Sequence, residues 1–201
     1  MFNDKYGLTD AVLKGNKTMT RRLVPKSLLR QYEDYDTWCK EFATGDTAIE
    51  RMYEKDFFKI RNRVSFKLFE KLAVSQQYSE IINNRYFRNQ CLANEIDPDS
   101  MVYEAGWNNK MFVKSYLMPH SIEITGVKVE RLQDISDEDC LSEGIKRTGS
   151  DDRYYCYTFP HSPKNYHTPR EAFAALIDKV SGKGTWDSNP FVFAYSFTLE
   201  K

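Results

Sequence analysis

The sequence has few of the residues that build metal sites and disulfide frameworks. Its 201 residues include only four cysteines and three histidines. No two cysteines form the CxxC pair typical of zinc sites and redox motifs, and the histidines are scattered among predicted loops. We therefore predict no metal, no other cofactor and no disulfide framework. The cysteines are Cys39, Cys91, Cys140 and Cys156, and the histidines are His120, His161 and His167.

Long apolar runs and a net charge are also missing. No stretch approaches the ~20 apolar residues that span a bilayer, and Met1–Lys5 lacks the apolar run of a signal peptide. The 29 basic residues balance the 29 acidic ones, which excludes general steering toward nucleic acid or anionic membranes. We predict a cytoplasmic protein in a reducing compartment, with no membrane partner and with one domain over residues 1–201.

One short stretch concentrates positive charge within this neutral chain. The run Gly15-Asn16-Lys17-Thr18-Met19-Thr20-Arg21-Arg22 has three cations, two hydroxyls and no acid. It follows an apolar-periodic segment that stops at Gly15, a pattern typical of a helix that ends in a left-handed residue. Because such a set holds an anion or polarises a carbonyl group, we interpret it as a candidate site. A solvated basic turn is the alternative.

Periodicity predicts the surrounding elements. The predicted helices are 28–42, 49–60, 80–92, 136–144 and 168–181, and the predicted strands are 72–78, 111–116, 121–132 and 191–199. No element is assigned to 146–164. In the strand 121–132, Ile122 and Ile124 have the opposite parity to Val127 and Val129, which predicts a β-bulge at Gly126. These features predict an α+β fold around a small curled sheet, with helical insertions at about 26–62 and 79–107.

At this level of detail the chain resembles the ASCH domain family, relatives of the PUA-like RNA-binding barrels, and is most similar to versions from phage and prophage genomes. The similarity covers about 1–25, 65–78 and 108–200. It is carried by Gly15-x-Lys17-Thr18-x-Thr20-Arg21-Arg22, by Met118-Pro119, by Val129 to Ser136 with Glu143-Gly144-Ile145, and by the tail from Phe173 to Phe197. The resemblance implies a small PUA-like β-barrel with peripheral helices. The basic stretch would line a cleft that binds RNA or a nucleotide-like ligand.

The resemblance also implies a possible enzyme. Small members of the family hydrolyse acetylated cytidine with a lysine, a threonine three residues later, and a glutamate on the following barrel strand. Lys17 and Thr20 match the first two, but Gln76 stands where the acid is expected. An amide cannot shuttle a proton as a carboxylate does. Glu70 and Glu104 are poor replacements, since Glu70 lies about 20 Å back along an extended chain and Glu104 suits a surface loop.

The first functional interpretation is a module that binds RNA or a nucleoside. Its ligand-binding residues are Gly15, Lys17, Thr18, Thr20, Arg21, Arg22, Gln76 and Tyr78. The cations would contact phosphate or a base edge, Thr20 and Gln76 would form hydrogen bonds, and Tyr78 would stack on a base. For Arg21 and Arg22, structural ion pairs with acidic helices are the alternative.

Two further interpretations remain open. One is an amidohydrolase acting on an acylated nucleoside such as acetylcytidine, with Thr20 as nucleophile, Lys17 as its base and Gln76 holding the substrate. The other is a phage-associated interaction scaffold that uses aromatic residues of the two insertions, although aromatic residues at helical spacing are more often part of a core. The ligand, the presence of activity and the oligomeric state are left open by the sequence.

Overall fold

The computed structural model describes residues 2–31, 65–151 and 154–200. The helices are α1 Leu8–Leu13, α2 Tyr78–Ile81, α3 Arg85–Ala93, α4 Asp137–Ser142 and α5 Pro169–Ser181, and residues 26–31 are also helical. The strands are β1 Met19–Leu23, β2 Lys71–Ala73, β3 Ser121–Arg131, β4 Lys146–Asp151, β5 Tyr154–Thr158 and β6 Phe191–Glu200. Beyond residue 31, the two helices predicted within 28–60 lie outside the described residues.

The fold is mixed α+β, as predicted, and is built on a curled antiparallel sheet with the strand order β1-β6-β3-β2. β6 is the strand that joins the basic stretch to the rest of the sheet. Every residue from Phe191 to Tyr195 is buried, so both faces of β6 are covered by protein. β1 pairs with β6, and this pairing places Thr20 opposite Tyr195 and Arg21 opposite Ala194.

The β-bulge predicted at Gly126 is confirmed. The register between β3 and β6 shifts between Ile124 and Gly126, where Gly126 lies opposite Ser196. After the shift, Val127 lies opposite Tyr195, on the same face as Ile124, which lies opposite Phe197. The extra residue restores the inward face and bends the strand, which contributes to the curl of the sheet.

Three predicted elements are wrong in whole or in part. The strand predicted over 72–78 is limited to Lys71–Ala73, and Tyr78 begins α2. Residues 111–116 do not form a strand, because Lys110–Phe112 and Ser115–Leu117 are separate 3-10 turns. The Asn109 side chain accepts a hydrogen bond from the Met111 N–H, and such local bonds compete with strand pairing. The helix predicted over 80–92 is divided into α2 and α3. At this break, Asn84 caps α3 by accepting hydrogen bonds from the first turn.

A hairpin occupies part of the segment to which the sequence assigned no element. β4 and β5 pair as a two-stranded antiparallel sheet. The Arg147 guanidinium lies 3.9 Å from the centre of the Tyr155 ring, and Tyr157 forms a bridge with Tyr166. These contacts stabilise the hairpin. Hydrophobic periodicity in the sequence does not reveal either of them.

The core is divided into two clusters. The larger one joins the sheet to α1, α4 and α5. The smaller one lies within residues 78–118 and contains Tyr78, Ile81, Phe87, Cys91, Met101, Leu117 and Met118. The insertion predicted at 79–107 therefore has hydrophobic packing of its own. Within residues 2–31, 65–151 and 154–200, no helix has the length and hydrophobicity that crossing a bilayer requires.

Candidate functional site

The turn after α1 brings the basic stretch to the sheet. Gly15 has a φ of 73°, in the left-handed region predicted for it. The N–H groups of Asn16 and Lys17 both donate to the Ala11 carbonyl, at 2.8 and 3.0 Å. β1 begins only at Met19, so Lys17 is not part of the strand. Strand alternation therefore does not apply between Lys17 and Thr20, and both side chains line one cavity.

This cavity, the α5 cavity, has a volume of about 670 Å³, within the range of small-molecule sites. One wall is apolar and comes from α5, with Phe173, Leu176, Ile177 and Val180. A second wall is polar and consists of Lys17, Thr20, Arg21, Arg22 and Glu143. A ligand with an apolar part and one reacting polar group would suit these two walls.

Lys17 lies at the centre of the polar wall. Its side chain is 2% exposed, and its ammonium donates to Glu143 Oε2 at 2.5 Å and to the Glu143 carbonyl at 2.8 Å. Burial lowers the pKa of Lys17, and the Glu143 carboxylate, which favours the charged form, offsets this only in part. Lys17 therefore gives up its proton more readily than a lysine in water.

The lowered pKa of Lys17 predicts how stability depends on pH. Between this pKa and 10.5, the unfolded chain binds more protons than the folded one, so the free energy of unfolding rises with pH. We expect the free energy of unfolding of the wild type, minus that of Lys17→Met, to increase as the pH rises toward 10.5. Urea unfolding at a series of pH values measures it. A difference that falls with pH would mean that the Glu143 pairing outweighs burial.

Arg21 is held by three carboxylates. Its guanidinium lies 2.6 Å from Glu130, 2.6 Å from Asp139 and 3.2 Å from Glu143, and its side chain is fully buried. Glu143 therefore bridges Lys17 through one oxygen and Arg21 through the other. Further out, Lys128 lies 3.0 Å from Glu130 and 2.8 Å from Asp139. We call these six side chains the ion cluster.

The ion cluster corrects one interpretation of the sequence. The basic stretch contains no acid, but Lys17 and Arg21 are neutralised by carboxylates that lie 109 to 126 residues away in the chain. These acids come from β3 and from the α4 region, not from the inserted helices considered as the alternative. Three cations meet three acids in the cluster, so it does not present the uncompensated positive field that the sequence suggested.

Other residues of the predicted site lie in different places. Thr20 is 9% exposed, and among the described residues its hydroxyl has no hydrogen-bond partner. Arg22 is half-buried and lines the α5 cavity. Gly15 and Thr18 are exposed. The Thr18 backbone anchors the stretch, because its N–H donates to the Ser142 carbonyl and its carbonyl accepts from the Phe197 N–H, both at 2.8 Å.

Gln76 and Tyr78 do not meet Lys17 and Thr20. Gln76 lines a separate cavity of about 390 Å³, so it does not take the place of the expected acid. Tyr78 is 1% exposed. Its ring packs 5.4 Å from that of Phe87, and its hydroxyl accepts from the Lys114 N–H. Because this ring is buried in the smaller cluster, it is not presented for stacking on a base.

Glu143 is the residue that sequence reasoning missed. It follows α4 directly and is 4% exposed, and its carboxylate contacts Lys17. Its signal in the sequence is the Glu143-Gly144-Ile145 run, which belongs to the family resemblance and to the end of a predicted helix but for which no role in the site is predicted. Gly144 has a φ of 103°, a backbone conformation that glycine adopts without strain.

Comparisons of the chain with protein-family models, with curated proteins and with solved structures found no match.

Proposed function

We propose that this chain is an ASCH-type protein with a PUA-like barrel, and that the α5 cavity hydrolyses the amide of a small acylated nucleoside such as acetylcytidine. One observation carries the proposal. The Lys17 ammonium, the Glu143 carboxylate and the Thr20 hydroxyl lie on one polar wall, and the hydroxyl has no hydrogen-bond partner in the part of the chain that the structure describes. In the resemblance described above, the acid was the missing part of this set, and Glu143 supplies one from another place in the chain.

The chemistry follows from the properties of these groups. Burial lowers the pKa of Lys17, which makes its neutral form easier to reach. In that form Lys17 accepts the proton of the Thr20 hydroxyl, and the oxygen attacks the acyl carbonyl carbon. The carbon–nitrogen bond then breaks, and the Lys17 ammonium returns the proton to the leaving amine. Water hydrolyses the resulting ester of Thr20 and releases the acid. Glu143 holds the Lys17 amine in place and stabilises the ammonium form as it appears.

The charge balance supports a small neutral substrate over a phosphate backbone. Lys17 and Arg21 already contact carboxylates at 2.5 to 3.2 Å, and a phosphate would have to displace these partners. A neutral amide needs only a hydrogen bond and a nucleophile. The apolar wall of α5 can bury the part of the ligand that does not react.

A second candidate is a module that binds RNA or a nucleotide without turnover. It is favoured by the side chain of Lys5, a cation that lines the same cavity and does not belong to the ion cluster. Cations in such positions contact phosphate groups, and the amides of Asn108 and Asn109, also in the lining, suit a base edge. The two candidates differ in whether a covalent bond is broken.

Incubation with acetylcytidine separates these candidates. We expect steady release of cytidine and acetate, measured by chromatography, and brief acetylation of Thr20, measured by mass spectrometry after an acid quench. Thr198→Ala is the control, since Thr198 is exposed on β6 and should not affect the rate. Saturable cytidine binding without turnover would favour the binding module, and neither turnover nor binding would contradict both candidates.

A further inference from the structure

Two segments that are far apart in the sequence form one side of the α5 cavity. Residues 2–5 precede α1, and residues 108–111 lie in the chain between Met101 and Leu117 of the smaller hydrophobic cluster. Members of both segments line the cavity. We call these two segments the cover. They lie outside the basic stretch, and neither was assigned a role from the sequence.

Lys110 joins the two segments of the cover. Its ammonium donates to the Phe2 carbonyl, to Asp4 Oδ1 at 2.5 Å and to Thr9 Oγ1 at 2.9 Å. Thr9 in turn donates to Asp4 Oδ1 at 2.5 Å. The Lys110 side chain is only 10% exposed. In the part of the chain that the structure describes, every hydrogen bond between residues 2–5 and 108–111 comes from Lys110.

The direction of Lys110 is set by its own turn. Asn109 precedes the 3-10 turn Lys110–Phe112, and its side chain accepts from the Met111 N–H at 3.0 Å. Met111 and Phe112 are 68% and 62% exposed, so they contribute little apolar burial that would hold the segment. Among the described residues, the hydrogen bonds that hold this turn against residues 2–5 are therefore those of Lys110.

We infer that Lys110 is a positioning residue that holds the cover closed and so determines how tightly the cavity binds a nucleoside-sized ligand. Touching neither Lys17 nor Thr20, Lys110 acts on binding and not on the chemical step. The ligand assignment rests on the proposed function, whereas the closure itself does not.

The expected size of the effect follows from a population argument. A site whose competent form is populated one time in ten binds about tenfold more weakly than a site that is always competent. Loss of the Lys110 contacts removes the hydrogen bonds that join the two segments. We therefore expect Lys110→Met to raise the KM for acetylcytidine roughly tenfold, with kcat changed by less than about twofold.

The matched control is Lys114→Met, because Lys114 is an exposed lysine four residues further along the same segment. Amide hydrogen exchange of residues 2–9 gives a readout that is independent of activity. We expect exchange about tenfold faster in Lys110→Met and unchanged in Lys114→Met. Asp4→Asn weakens the contact between Lys110 and Asp4 from the Asp4 side, so it should also speed hydrogen exchange of residues 2–9, but by less than Lys110→Met. Lys110→Arg keeps the positive charge and should retain most of the protection of these amides from exchange.

The two readouts separate the failure of this inference from that of the proposed function. If the wild type does not release cytidine, the proposed function fails, and hydrogen exchange alone then decides whether Lys110 closes the cover. Equal exchange in both methionine variants would overturn the inference. A fall in kcat with unchanged KM would overturn it as well, since it would place Lys110 in the chemical step. Thermal unfolding of each variant shows that the fold is retained.

Discussion

Replacing Thr20 with alanine is expected to abolish the release of cytidine from acetylcytidine. The hydroxyl is the only part of Thr20 that can attack the acyl group, and no other hydroxyl of β1 replaces it. Loss of a nucleophile removes at least the roughly 10²–10⁴-fold that a single acid–base group contributes. The stability cost should be small, because this hydroxyl has no hydrogen-bond partner among the described residues. Initial rates at saturating acetylcytidine measure the loss.

Three variants make the Thr20 result specific. Thr20→Ser keeps the hydroxyl and should retain part of the activity, whereas Lys17→Met removes the base and should lose as much as Thr20→Ala. Thr198→Ala should behave as the wild type. Cytidine binding by Thr20→Ala, followed by calorimetry, should remain within about threefold, since the substitution leaves the charged groups in place. Full activity in Thr20→Ala would exclude the covalent mechanism.

Replacing Arg21 with methionine is expected to cause a large loss of stability. The guanidinium is the shared partner of Glu130, Asp139 and Glu143, and its removal leaves three acids close together in a mostly buried place. Breaking a buried ion pair by removing one partner costs about 3–5 kcal/mol. The free energy of unfolding from urea titrations at pH 7 measures this change.

The outer end of the ion cluster supplies the control for Arg21. Lys128 contacts two of the same acids, but its side chain is 50% exposed, and exposed ion pairs contribute only about 0–1 kcal/mol. Lys128→Met should therefore lower the free energy of unfolding by less than about 1 kcal/mol. A similar cost for both variants would show that burial does not distinguish the two cations.

Lowering the pH through the lowered pKa of Asp139 should reduce the cost of Arg21→Met, because that acid becomes neutral.

Several elements followed from the sequence because their signals are local. Thr168 caps α5 by accepting from the Glu171 N–H at 3.1 Å, and Pro169 begins the helix, as the pattern predicted. Gly15 ends the first helical region in the left-handed conformation, and the change of parity around Gly126 marked the bulge. In each case the residues that determine the backbone lie within a few positions of it.

Other elements could not be read locally. The segment 111–116 was predicted as a strand but lies in two 3-10 turns, and the Asn109 side chain accepts a hydrogen bond from the Met111 N–H in the first of them. The β4–β5 hairpin depends on cross-strand contacts such as that of Arg147 with Tyr155. Hydrophobic periodicity in the sequence indicates which face of a helix or strand a residue occupies once that element has formed. It does not show whether a partner strand is available for pairing.

By itself the sequence determined an α+β chain with a curled sheet and a basic stretch that contains Lys17, Thr20 and Arg21. Only the tertiary structure decided that Lys17 and Arg21 of this stretch are paired with carboxylates, that Glu143 and not Gln76 lines the cavity with Lys17 and Thr20, and that residues 2–5 and 108–111 line the same cavity. The physical reason is distance along the chain. Ion pairs and cavities form between residues more than a hundred positions apart, and folding brings them together through contacts that leave no local pattern.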